Sequence, residues 1–283
     1  MLRLFRLLLA LPEGLQVIII VGATVAAAFA AALATRALFD LQQLGADNGL
    51  TTAVYEVLGT IYAILLAFVV SGICQYFAAA VASVHTEAAA LLDLGHTVDA
   101  FSSEQSRKVR RRVVTYAKGV IAEWETLASV ARGKVSPHDL SFEEMEALIR
   151  AVQSLEPANP RETAVFERAL VMLTNWLDAR RKRLQSASGG SAAAIWPLLL
   201  AGALILFAFH GLFVARSAAV WTGLLLGLSA VVGLAFYLIF TLDSPFTGRL
   251  SVHVGPFQWL VDSYTLESPE SLCAPESLCA PET

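Results

Sequence analysis

Four apolar runs divide the chain: Leu15–Leu33, Tyr55–Tyr76, Ala192–Val214 and Ala218–Leu242. Each holds roughly 20 residues, and at a rise of about 1.5 Å per residue a helix of that length crosses a hydrocarbon core of about 30 Å. The first, third and fourth runs carry no Asp, Glu, Lys or Arg; the second carries only Glu56, near its start. Gly22, Ala26 and Ala30 recur every four residues in the first run, and the fourth contains Gly223-x-x-x-Gly227. Such small-residue spacing lets two helix backbones approach closely. The pattern predicts an all-α integral membrane protein with four transmembrane helices and a helical domain between the second and third.

The second run has two chemically different faces. Steps of three or four from Glu56 reach Thr60, Ala63, Ala67, Ser71 and Gln75, all small or polar. The other side carries Leu58, Ile61, Tyr62, Leu65, Phe68, Val69 and Ile73. A spanning helix with such a stripe either packs against a neighbouring helix or faces water, and the residues leave both readings open.

From Ala78 the pattern turns amphipathic without a breaker, so the second helix is expected to run on past its apolar part. Ser102 and Gln105 read as a capping box opening a helix of about thirty residues, with Val109, Val113, Tyr116, Val120, Trp124, Leu127 and Ala131 inward. Gly133–Pro137 breaks it. Ser141 and Glu144 read as a second capping box. Asn159, with Pro160 behind it, starts a last helix that buries Val165, Ala169, Leu173, Trp176 and Leu177.

Four segments follow. Residues 1–77 hold a surface segment and helices 1 and 2; residues 78–191, closed by the flexible SASGGS, form the helical domain. Residues 192–242 form an antiparallel hairpin with a tight turn at Ala215–Ser217, and residues 243–283 form a tail. That tail ends in a tandem ESLCAP hexapeptide, which is too short and polar to fold. Arg3 and Arg6 ahead of an apolar run also fit a cleavable signal peptide, but the run is longer than the usual apolar region of one, which favours a retained helix.

Composition agrees: hydrophobic residues make up 56% and charged residues 16%, where a soluble domain carries about a quarter charged. The net charge of −4 is unevenly placed. Of 20 Lys and Arg residues, fifteen lie between Ala78 and Ser191. The positive-inside bias therefore puts both termini and the helical domain in the cytoplasm. Arg180, Arg181, Lys182 and Arg183 immediately precede the third run and read as an anchor on acidic lipid head groups. The domain balances its bases with carboxylates, which argues against nucleic-acid binding.

Catalytic signatures are missing. The five histidines are dispersed, and no HExxH, GxSxG, phosphate-binding loop or dinucleotide fingerprint occurs. His85, His96 and Asp99 could share a helix face but lack further ligands, and the three cysteines follow no framework or zinc spacing. Neither enzyme, metal nor cofactor is expected.

Five segments, YEVLGTIYAILLAF, EAAALLDL, YAKGVIAEWETL, LDARRKRL and LDSPFTGRLSV, resemble the bestrophin-like family of bacterial membrane proteins. Asp243, Pro245, Phe246 and Gly248 belong to the most specific of them. The resemblance implies four crossings per subunit, cytoplasmic termini, a homo-pentamer in the bacterial inner membrane, and an ion pore lined by the second helix. Members narrow that pore with bulky apolar side chains, and a small rotation here would turn Ile64 and Val70 inward. The family's calcium clasp finds no acidic cluster to match.

The expected function is passive ion conduction. Glu56 and Thr60 form the outer mouth, Ala63, Ala67 and Ser71 the constriction, and Gln75 the inner exit. Glu56 favours cations, although anions are the commoner cargo that the resemblance implies. Expected partners are further copies of the chain, lipid and small inorganic ions. The alternative is a non-conducting scaffold or sensor whose stripe is a helix–helix seam.

Overall fold

The computed structural model describes residues 11–39, 48–124, 126–127, 140–187, 195–213, 217–246 and 251–266. Among them the regular structure is helical, with no strand. The helices are α1 (Glu13–Leu38), α2 (Asn48–Thr97), α3 (Ser103–Ala122), α4 (Phe142–Gln153), α5 (Pro160–Ala187), α6 (Trp196–Gly211), α7 (Ala218–Leu242) and α8 (Gly255–Leu266), with a 3-10 turn at Val98–Ala100 after α2. Three of them, α1, α2 and α7, are long and apolar enough to cross a membrane. The third apolar run forms a shorter helix, Trp196–Gly211, opened by Pro197 in its first turn.

The chain folds as two compact units, Met1–Ala78 with Gly189–Ser251 and Ala79–Ser188 with Val252–Thr283. In the first, α6 and α7 both pack along α1 and touch each other much less. Ala28 and Ala32 of α1 meet Leu199, Ala203, Leu206 and Phe207 of α6 and Leu225, Val232 and Phe236 of α7, joined by Tyr62 and Ile73 of α2. Arg36 closes the end of α6, donating to the carbonyls of Gly211 (3.2 Å) and Phe213 (2.8 Å) while stacking 3.9 Å from the Trp221 ring. The Trp221 indole N–H in turn donates to His210 O at 3.3 Å.

Close approach in this unit uses other small residues than the spacing predicts. Gly22, Ala26 and Ala30 face outward, while Thr24, Ala28 and Ala32 are buried. Both stripes have period four and differ by half a turn, so spacing alone cannot choose between them. Gly223 and Gly227 are exposed, and a Cβ at either would meet nothing within 4 Å. Among the described residues they form no packing seam. The close contacts lie at Gly211, where a Cβ would stand 2.3 Å from Ala32 O, at Gly202, 2.8 Å from the Tyr62 ring, and at Gly233, 3.0 Å from the Val21 Cα.

The second unit is amphipathic throughout. Helix α3 buries Val109, Val113, Tyr116 and Val120 on the predicted face and packs against α4 and α8. Ser102 caps it, its hydroxyl accepting from the Gln105 N–H at 3.4 Å. The reciprocal half of that box is absent, because the Gln105 side chain accepts from Glu156 N instead. The second predicted box does not form. Ser141 adopts φ 46° without a side-chain cap, and its N–H and hydroxyl both donate to Glu123 (2.9 and 2.5 Å). Asn159 does cap α5, accepting from Glu162 N at 2.9 Å. Helix α8 buries Phe257, Leu260 and Tyr264, and the Tyr264 hydroxyl donates to Leu92 O at 3.1 Å.

The apolar runs locate helices better than their ends. Helix α1 continues five residues beyond Leu33, and α2 starts seven before Tyr55, because Thr, Arg and Asn residues join a helix that hydropathy does not mark. The breaker at Gly133–Pro137, most of SASGGS, most of the turn at Ala215–Ser217, residues 1–10 and the ESLCAP repeat lie outside the described residues.

Candidate functional site

Successive residues on a helix turn by about 100°, and on that wheel the first half of α2 divides cleanly. Tyr62 and Ile73 are buried, with Leu65, Leu66, Val69 and Val70 half-buried against the same core. The other half of the circumference is exposed. It holds all of Glu56, Thr60, Ala63, Ala67, Ser71 and Gln75, and also Ile64. Val70 is the one candidate lining residue that packs against the chain's own bundle.

The exposed half contains two stripes. Glu56, Thr60, Ala63, Ala67 and Ser71 form the small, polar one; Val57, Ile61, Ile64 and Phe68 form a bulky one beside it, with Phe68 74% exposed. The sequence groups Ile61 and Phe68 with Tyr62, Leu65, Val69 and Ile73 on the side opposite the small stripe, but the structure exposes both. The buried arc is narrower than that and centres near Tyr62. The polar side chains along the stripe bond within their own helix: the Thr60 hydroxyl donates to Glu56 O at 2.8 Å, and the Gln75 amide to Ser71 Oγ at 3.3 Å.

A second constellation lies inside the other unit. Glu87 is fully buried and accepts from Arg183 Nε (2.6 Å), from a terminal nitrogen of Arg183 (3.2 Å) and from the Tyr116 hydroxyl (2.5 Å). Burial, reinforced by the Glu87 charge, pushes the Tyr116 hydroxyl far above its ordinary value and keeps it a donor. Burial works against the Arg183 charge, but Glu87 more than offsets it and holds the guanidinium above its ordinary value. Three of the segments that carry the family resemblance thus meet at one ion pair.

That geometry corrects the reading of the basic cluster. Arg180 and Arg183 are 6% and 3% exposed and bond inside the unit, so neither is available to lipid head groups. A run of four bases reads as surface, and the structure alternates it. Arg181 is exposed and pairs with Asp178 at 2.8 Å, and Lys182 lines an open groove of about 620 Å³ with Ser83, Thr86 and Asn175. The signal that could have found Glu87 is its position in an Ala- and Leu-rich stretch, where an acid wants a buried base.

The remaining candidates sit as follows. Asp243, Pro245 and Phe246 are buried at the end of α7, with Asp243 close enough to Tyr76 to act on it electrostatically. Gly248 lies outside the described residues. His210 is buried against Trp221, Phe213 and Tyr55. Asp99 is bound by Arg110 and lies 4.0 Å from His96. Among the described residues no group of three His, Cys, Asp or Glu side chains could hold a metal ion.

No curated protein matches the chain. Two solved structures share its fold, each with a TM-score of 0.60 and covering 89% of this chain and 98% of their own. One is a crystal structure of a membrane protein with a proline-to-alanine substitution, at 14% identity. The other is a bacterial bestrophin homologue from Klebsiella pneumoniae with a leucine-to-threonine substitution, at 16% identity. The family model of the Bestrophin-like domain matches residues 22–257, from the outward-facing glycine of α1 into the buried start of α8, and on that match the chain belongs to the Bestrophin-like family.

Proposed function

We propose that the protein is an oligomeric ion channel, with copies arranged about an axis that the exposed half of α2 lines. One observation carries the reading. The Glu56–Gln75 stripe lies in a span apolar enough for a membrane, yet among the described residues no other helix covers it. A carboxylate and two hydroxyls facing hydrocarbon are costly, which leaves water or another copy as their neighbour. A single copy cannot enclose a conduit. In the assembly Glu56 and Thr60 form the outer mouth, Ala63, Ala67 and Ser71 face the lumen, and Gln75 forms the inner exit. Ile64 and Phe68 either seat against the adjacent copy or, with a small rotation, close the lumen as an apolar ring.

Five copies, four crossings, cytoplasmic termini and an inner-membrane location belong to the same proposal, on the resemblance and the placement of bases. The bulky stripe also supports a second reading, a seam between copies in a non-conducting scaffold. Single cysteines from Thr60 to Gln75 separate the two. Water-soluble thiol reagents should modify every third or fourth position of a pore, and protection along the whole stripe would leave the scaffold. In planar bilayers Glu56→Gln should shift the reversal potential under a salt gradient; an unchanged value in a conducting protein removes Glu56 from the mouth.

A further inference from the structure

We draw no further inference here: the strongest candidate, the open groove of about 620 Å³ that α2 and α5 line with Ala79, Ala82, Ser83, Thr86, Asn175 and Lys182, carries none because nothing in the structure shows what covers it.

Discussion

At two glycines of the first unit backbone meets backbone; the second unit is fastened instead by a buried ion pair. Gly211 lies against the backbone of Ala32 and Gly233 against Val21, whereas Glu87, Arg183 and Tyr116 lock α2, α5 and α3 together at distances down to 2.5 Å. The difference is the one expected if the first unit lies in the membrane and the second in water, as proposed above. Helices among lipid tails gain little from burying apolar surface, so contact area and backbone proximity hold them. Helices in water gain it on every amphipathic face, and one buried ion pair adds specificity at a desolvation cost.

The comparison breaks most visibly if α8 is removed. Ending the chain after Ser251 uncovers the sites of Phe257, Leu260 and Tyr264. At about 1.5–3 kcal/mol for each large apolar side chain, the second unit should lose roughly 5 kcal/mol or more while the first keeps its helix content, as measured by hydrogen exchange. Glu87→Ala leaves Arg183 buried and unpaired, which costs about 3–5 kcal/mol. Replacing Glu87 and Arg183 together by Leu and Met should recover most of that loss in thermal unfolding. If the double variant is no better than the single one, the pair is not the unit that matters.

Smaller effects sharpen the contrast. Gly211→Ala forces Ala32 away and should destabilise the first unit by about 1–3 kcal/mol, whereas Gly223→Ala and Gly227→Ala have open space and should be neutral or slightly stabilising. Equal losses at all three would show that Gly223 and Gly227 are covered in the assembled protein. Ser102→Ala removes the cap of α3, at about 1 kcal/mol. Smallest over the accessible range is a pH effect. The Tyr116 value is raised on folding, so the stability it contributes is complete below the ordinary tyrosine value of 10.0 and declines above it. Tyr116→Phe should flatten that alkaline decline.

How much could be read beforehand depended on which physical variable the pattern reports. Hydropathy found the apolar helices, and Ala218–Leu242 emerged with the predicted ends, since lipid-length runs leave few alternatives. Periodicity found the buried faces of α3 and α5, because Val109, Val113, Trp176 and Ala169 alternate with charge. In α1 and α7 every face is apolar, so period-four glycines and alanines could not say which stripe is inside. The Glu56–Ser71 line was legible as a chemical difference, though not what it faces, and the exposure of the neighbouring Phe68 was not legible, because size alone does not distinguish an inward ring from an outward one. Arg180 and Arg183 were hidden by the bases beside them, and α8 by its place in what reads as a tail.

The second unit is assembled from two stretches of chain, Ala79–Ser188 and the residues from Val252 onward, with α6 and α7 encoded between them. A ribosome therefore delivers both apolar helices before it delivers the piece that finishes the second core. Until Phe257 and Tyr264 emerge, the nascent unit waits with their seats against α3 and the end of α2 uncovered, so two apolar helices are made before a domain begun long before them can be completed.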